Sequence, residues 1–230
     1  MKALNKQTAP KSVAPERIIQ FGEGNFLRAF VDYWFDLANE KAGWNGKCCL
    51  VQPIAPGLSK MINEQEGLYT LFLRGFQDGQ KVNKKRIISC VSRCLNPYQD
   101  FDAVLDCASN PDLRFIACNT TEAGIAYDSS CQFTDIPASS YPGKLTQFLY
   151  RRFEKFGTVP GKGFIILSCE LIDDNGKELE KCVLQYAKQW NLGEDFIAWI
   201  KTENTFCSTL VDRIVTGYPR NEADAICEEL

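Results

Sequence analysis

The run Arg17-Ile18-Ile19-Gln20-Phe21 reads as a short buried strand that passes through Gly22-Glu23-Gly24 straight into a helix. No other feature of the chain limits its fold as much. Phe26, Phe30, Trp34 and Ala38 recur every four residues after the glycines, with Leu27 and Val31 widening the stripe. The aromatic members of that stripe are assigned to the core. A second apolar run, Cys48-Cys49-Leu50-Val51-Gln52, stops at Pro53. Strand, helix and strand at this spacing open a βαβ unit.

The texture then changes. Leu68 to Arg74 and Lys85 to Val91 are β-prone runs, and between them Gln77-Asp78-Gly79-Gln80 supplies a hairpin turn. An antiparallel insertion therefore interrupts the alternation. A short helix is expected over Phe101 to Ala108, ended by Asn110-Pro111. Alternation resumes with a strand at Phe115 to Asn119, a helix over Lys144 to Phe156 and a strand over Gly163 to Ser168. Asn175-Gly176 turns the chain, and helices follow over Glu178 to Trp190 and Phe196 to Ile200. Continuous apolar strands indicate a sheet covered on both faces, as parallel sheets are. The fold class is α/β: a doubly wound, mostly parallel sheet with an antiparallel hairpin insertion. Residues 1–15, with Pro10 and Pro15, read as a loose leader.

Composition removes several functions. The 230 residues contain no His, so no imidazole acts as a general base, binds zinc or completes a Ser-His or Cys-His pair. A net charge of −3 without a long basic run argues against a nucleic-acid partner. No run approaches the ~18 apolar residues of a membrane helix, and Met1 to Pro15 lacks the apolar core of a signal peptide. A cytoplasmic setting with free cysteines is expected for the 11 Cys. There is no Cys-x-x-Cys, so no metal site is expected.

The glycine turn is where chemistry is expected. A first glycine permits the tight turn and a second lets the backbone approach a pyrophosphate. The helix start then adds free N–H groups and the positive end of its dipole. Gly22 and Gly24 fill those positions, while the third fingerprint position is Leu27. The same context fits S-adenosylmethionine. The second strand ends at Gln52-Pro53, with neither an acid for a ribose hydroxyl nor an Arg for a 2′-phosphate, so NAD and NADP stay undivided on these grounds.

Four separated blocks are more specific. They are Phe21 to Phe30, Asn119-Thr120-Thr121-Glu122-Ala123-Gly124, Ser168-Cys169-Glu170-Leu171 through Asn175-Gly176, and Phe206 to Ile214 with its Val211-Asp212-Arg213-Ile214. In order and spacing, from about residue 17 to 220, they resemble the long-chain mannitol dehydrogenase family. Pro15 to Arg28, Ser140 to Thr146 and Val211 to Arg220 are similar to its sugar-acid branch. Glu170 and Leu171 stand where the family has Asp and Asn, which fits that branch.

The resemblance implies a Rossmann-type NAD-binding domain over 16–220, with 221–230 beginning a helical C-terminal domain that is cut short. It implies NAD-linked interconversion of a keto sugar acid and its hydroxy acid in hexuronate breakdown, with a small-molecule sugar-acid partner. Fructuronate or mannitol is the alternative substrate, and a non-redox nucleotide-binding domain the alternative class. Cofactor contacts fall to Gly22, Gly24, Asn25, Phe26, Arg28, Thr121 and Glu122, and the substrate side to Glu170, Asp212 and Arg213. A catalytic Lys, with an Asn and a His nearby, is expected beyond Leu230. Tyr141 and Lys144 are one residue too close for the Tyr-x-x-x-Lys pair of short-chain dehydrogenases, and Lys144 reads as a surface lysine at a helix start.

Overall fold

A computed structural model describes residues 4–11, 13–121, 123–211 and 213–229. Eight strands and seven helices occur among them. In chain order they are β1 (Glu16–Phe21), α1 (Asn25–Ala42), β2 (Lys47–Val51), α2 (Ser59–Glu64), β3 (Tyr69–Gln77), β4 (Gln80–Ile88) and β5 (Val91–Leu95). Then follow α3 (Phe101–Asp106) with a 3₁₀ turn at Cys107–Ser109, β6 (Phe115–Cys118), α4 (Tyr141–Phe156), β7 (Ile165–Ser168), α5 (Asn175–Gln189), α6 (Glu194–Glu203), β8 (Thr205–Ser208) and α7 (Ala223–Glu229).

Six strands form one parallel sheet in the order β5-β2-β1-β6-β7-β8. Counted within that sheet, this is the doubly wound order 3-2-1-4-5-6. The winding reverses between β1 and β6, so the carboxyl ends of those two strands border the crevice where such sheets bind ligands. Alternate residues of each strand enter different cores. Ile19, Phe21, Cys49, Val51, Ile116 and Ile166 pack against α3 to α6. Ile18, Cys48 and Leu50 face the other way, toward the aromatic residues of α1 and the base of the hairpin, and Ala117 meets Leu27 and Val31 of α1.

The hairpin is a separate two-stranded sheet, β3 with β4, turned at Asp78-Gly79 with both residues at positive φ. The sequence reading carried its second strand through Val91. Instead pairing with β3 ends at Ile88, and Val91–Leu95 leaves to become the third parallel strand of the main sheet, beside β2. An apolar run from Ile87 to Val91 hides that break. Two other elements also lacked a sequence signal strong enough to read: α2, and β8 on the far edge.

Two further expectations change. The stripe assigned to the core is rotated: Leu27, Ala29, Val31, Asp32 and Asp36 are the buried residues of α1, Phe26 and Phe30 are half-buried, and Trp34 is 50% exposed. The physical reason is the hairpin, which takes two carboxylates of α1 as partners. Arg86 pairs with Asp36 at 2.6 Å, and the Tyr69 hydroxyl lies 2.8 Å from Asp32 Oδ2. The second concerns the leader. It is anchored at points: Ala9 is buried and Lys6 pairs with Glu66, while Gln7, Pro10 and Val13 are exposed. No helix among the described residues is long and apolar enough to cross a membrane.

Candidate functional site

Gly22 leaves β1 at φ +132°, a region L side chains rarely adopt, and its N–H donates to the Val51 carbonyl at 2.9 Å. A Cβ on Gly22 would lie 2.9 Å from Leu27 Cδ1. The leucine at the third fingerprint position therefore fills the space that Gly22 vacates, and it is buried with Val31, Ala117 and Cys169. The helix stands off the sheet by a side chain where the full fingerprint would use a third glycine.

Gly24 differs. It is the N-cap of α1 at φ −65° and ψ 165°, exposed, and a Cβ there would meet nothing within 4 Å. No side chain caps the helix and its first turn carries no acid. The leading N–H groups of an 18-residue helix thus face an open approach, an arrangement that suits an anion. Around it, Arg28 donates from Nε to the Glu23 carbonyl at 2.8 Å and from a terminal nitrogen to Asn25 Oδ1 at 2.7 Å. Its guanidinium lies over the Tyr69 ring at 5.2 Å. Asn25 is exposed and Phe26 half-buried beside it.

Across the crevice is the loop after β6. Thr121 is exposed, and its carbonyl accepts from the Gly124 N–H at 2.7 Å. Glu170, after β7, is only 2% exposed. Its Oε1 accepts from the Thr120 N–H at 3.0 Å and hydroxyl at 3.3 Å, and the Cys118 thiol reaches its Oε2 at 3.7 Å. Glu170 therefore meets the crevice through Thr120, whose loop it pins. Asn175 makes the matching tie one strand further on, donating to the carbonyls of Glu170 at 2.8 Å and Thr209 at 3.1 Å while its Oδ1 accepts from the Thr209 N–H.

Arg213 lies elsewhere. It donates to the Ala29 carbonyl at 2.7 Å and its guanidinium covers Phe30 and Tyr33, on the flank of α1. Val211 packs with Leu27, Val31 and Cys169, so the segment after β8 crosses over α1. Glu122 and Asp212 lie outside the described residues. The structure thus brings together Gly22, Gly24, Asn25, Phe26 and Arg28 at the end of β1, puts Thr121 after the neighbouring strand β6 with Glu170 against Thr120, and puts Arg213 on the helix side.

Several residues of this rim were not read from the sequence as parts of a site. Glu23, between the two glycines, is buried; its Oε1 accepts from the Leu58 N–H at 3.1 Å and its Oε2 has no partner. Gln52, where an acid for the ribose would stand, is buried. Its amide donates to the Ile54 and Ala55 carbonyls and accepts from the Ser59 N–H. Beyond Leu58, the loops after β2 and β5 border an open groove of about 630 Å³ lined by Ser59, Asn63, Cys94, Asn96 and Asp100. Lys144, expected at the surface, is 5% exposed: its ammonium donates to the Ser139 carbonyl at 2.9 Å over the Tyr98 ring, and burial lowers its pKa. Tyr141 packs on Phe21 with its hydroxyl buried and unpartnered, and burial pushes that hydroxyl well above its ordinary pKa. A lone Tyr or Lys at a helix start carries no signal of such burial.

Known proteins resemble this arrangement. The family model described as the mannitol dehydrogenase Rossmann domain matches residues 16–229. An altronate oxidoreductase of Klebsiella pneumoniae subsp. pneumoniae is 51% identical over 227 residues, covering 98% of this chain and 47% of its own length. One from Phocaeicola vulgatus is 52% identical over 230 residues, covering 100% and 48%. The chain spans about half the length of the curated relatives it matches. Among solved structures, Pseudomonas fluorescens mannitol 2-dehydrogenase, in a ternary complex with NAD and D-mannitol, superposes with a TM-score of 0.79 at 24% identity, covering 98% of this chain and 50% of that one. A substrate-free D-sorbitol dehydrogenase gives 0.79 at 21% identity, covering 99% and 51%. These two likenesses establish the fold.

Proposed function

The chain belongs to the mannitol dehydrogenase family, and from that premise we propose that its crevice holds NAD in a protein that interconverts tagaturonate and altronate by hydride transfer. The observation that carries the substrate is the identity of about half of all positions with altronate oxidoreductases along the whole chain. For the cofactor, the supporting feature is Gly24, whose missing side chain leaves the α1 amides open to a pyrophosphate. Gly22, Asn25, Phe26 and Arg28 complete that wall, and Thr121, on the loop after the neighbouring strand β6, and Glu122 are assigned to the same cofactor. The groove past Leu58, tied to the glycine turn through Glu23, takes the adenosine half.

Bound there, NADH would supply the hydride for reduction of a ketone. This chain's residues hold and orient. Glu170 fixes the loop carrying Thr120 and Thr121, and Asn175 fixes that strand end to β8, so two buried side chains would hold this wall in place for a bound cofactor. Glu170, Asp212 and Arg213 are proposed for the substrate side, Arg213 acting by holding the segment after β8 on α1. The alkoxide needs a proton and donors for its charge. We assign those to a Lys with an Asn and a His, as the resemblance implies, in the part of the relatives' length that this chain does not span.

Calorimetric titration of the protein with NADH, NADPH and S-adenosylmethionine tests the cofactor. NADH is expected to bind best, and preference for S-adenosylmethionine would overturn the redox reading. Turnover of tagaturonate, fructuronate and fructose with NADH by the full-length protein tests the substrate. Tagaturonate is expected to give the highest kcat/KM.

A further inference from the structure

The 11 cysteines are free, and the fold gathers four of them into two pairs of opposite character. Cys48 and Cys90 lie fully buried beside Asp32. The hydrogen bond between them and burial push Cys48 up, and burial pushes Cys90 up, so both stay protonated. The other pair joins Cys49 of β2 to Cys107 of the 3₁₀ turn after α3. Their sulfurs and a carboxylate oxygen of Glu16 lie within 4.8 Å of one another. Arg93 of β5 reaches across this group. It grips both oxygens of Glu16 at 2.9 and 3.0 Å and points a terminal nitrogen at Cys107 Sγ, 3.6 Å away. As a thiol, Cys107 Sγ donates to the Ala103 carbonyl at 3.4 Å, and the guanidinium beside the sulfur favours its ionisation to the thiolate. Cys107 keeps 6% of its surface exposed, whereas Cys49 is fully buried. The cluster sits by Glu16, at the end of β1 opposite Gly22.

We propose that Cys49 and Cys107 are a peroxide-oxidisable dithiol, with Cys107 the attacking thiolate, Cys49 the resolving thiol and Arg93 the activating cation. The thiolate of Cys107 attacks one oxygen of hydrogen peroxide. The O–O bond breaks, Cys107 becomes a sulfenic acid, and hydroxide takes a proton to leave as water. Cys49 then gives up its proton and attacks the sulfenic sulfur. The S–S bond forms, the S–O bond breaks, and a second water departs. Two thiols lose two electrons and the peroxide gains them. The hydrogen bond from Cys49 and the charge of Arg93 hold Cys107 below the usual thiol range, and Cys49 is pushed well above it, which matches the two roles. The sulfurs, now within 4.8 Å, must close to about 2 Å.

The test treats the folded, fully reduced protein with one equivalent of hydrogen peroxide at neutral pH, alkylates the remaining thiols and maps the peptides. The expected result is an intact mass lower by two hydrogens, a linked Cys49–Cys107 peptide, and alkylation of the other cysteines. Cys49→Ser should stop at the sulfenic acid on Cys107, trapped by a dimedone adduct. Arg93→Gln should slow the reaction about tenfold, the effect of roughly one pKa unit of thiolate, and Arg93→Lys should restore much of it. Oxidation of other cysteines first, or equal rates with and without the charge at position 93, would overturn the proposal. Where Arg93→Gln fails to fold, the wild-type linkage and the Cys49→Ser trap decide it.

Discussion

Gly24→Ala separates what a glycine does for the fold from what it does for a ligand. Gly24 holds an extended conformation open to any residue, and an added methyl meets no protein atom within 4 Å. Alanine restricts the unfolded chain and so stabilises by about 0.4–1 kcal/mol. It is a poorer N-cap than glycine, which costs about 0.5–1 kcal/mol. The two offset, leaving a net change within about 0.5 kcal/mol, or about 2 °C in Tm at the ~2–4 °C per kcal/mol of a chain this size. NADH affinity should move further. The methyl stands in the open space beside the uncapped amides. Weakening one hydrogen bond to a charged group costs about 1.5–3 kcal/mol, which is about 10- to 150-fold in Kd. Thermal melts with and without NADH read both effects. At 100 times its Kd, NADH adds about 2.7 kcal/mol to the wild type. A variant weakened about 30-fold gains only about 0.9 kcal/mol at the same concentration. An unchanged NADH shift would refute the cradle, and a fall of more than about 5 °C without ligand would refute the open-space argument.

Gly22→Ala should behave oppositely, losing about 1–3 kcal/mol of stability from φ +132° alone; adding Leu27→Ala should relieve only the clash with Leu27 Cδ1, a coupling that denaturant unfolding of the four variants measures. Asp32 is raised to about 7 by burial. The folded protein therefore keeps a proton that the unfolded chain releases, so stability falls as pH rises from about 4 to 7 and is flat above. Asp32→Asn should remove up to about 4 kcal/mol of that slope, read from urea midpoints across this range. Arg152, 1% exposed, donates to the carbonyls of Ala108, Asn110, Leu113 and Lys162, with no carboxylate partner among the described residues; Arg152→Met should lower stability by about 3–5 kcal/mol with an unchanged urea m-value, since it strands buried acceptors.

The parts of this fold legible in the sequence are those set by local pattern. The strand–glycine–helix–strand opening, the Asp78-Gly79 hairpin and the parallel sheet all follow from periodicity and turn chemistry within a few residues. What was illegible depends on partners far away. The break at Ser89-Cys90 exists because β2 offers Val91 a place in another sheet. Lys144 is buried because Ser139 and Tyr98 close over it. Cysteine spacing, which argued against a metal site, carries no sign that Cys49 meets Cys107 and Cys48 meets Cys90, pairs separated by tens of residues. In the site, both turn glycines were legible, but the buried supports Glu23, Gln52 and Asn175 were not, because a polar residue in a loop looks the same whether solvated or locked.

The misread face of α1 bears on function. Periodicity placed Phe26, Phe30 and Trp34 inward, because a helix is ordinarily assigned by its apolar stripe. Asp32 and Asp36 are inward instead, and both are answered by Tyr69 and Arg86 of the hairpin and by Ser89 just past it. The Tyr69 hydroxyl lies 2.8 Å from both the Arg28 carbonyl and Asp32 Oδ2. It has one proton for two acceptors. Burial raises Asp32 to about 7, while the Tyr69 hydroxyl, as donor to its Oδ2, favours the charged form. The same ring lies under the Arg28 guanidinium, one turn from the glycines. The insertion is thus a buttress: it grips α1 along one side and fixes the helix whose first amides face the crevice. A hairpin far from the glycines in sequence thereby sets how firmly the anion cradle is held.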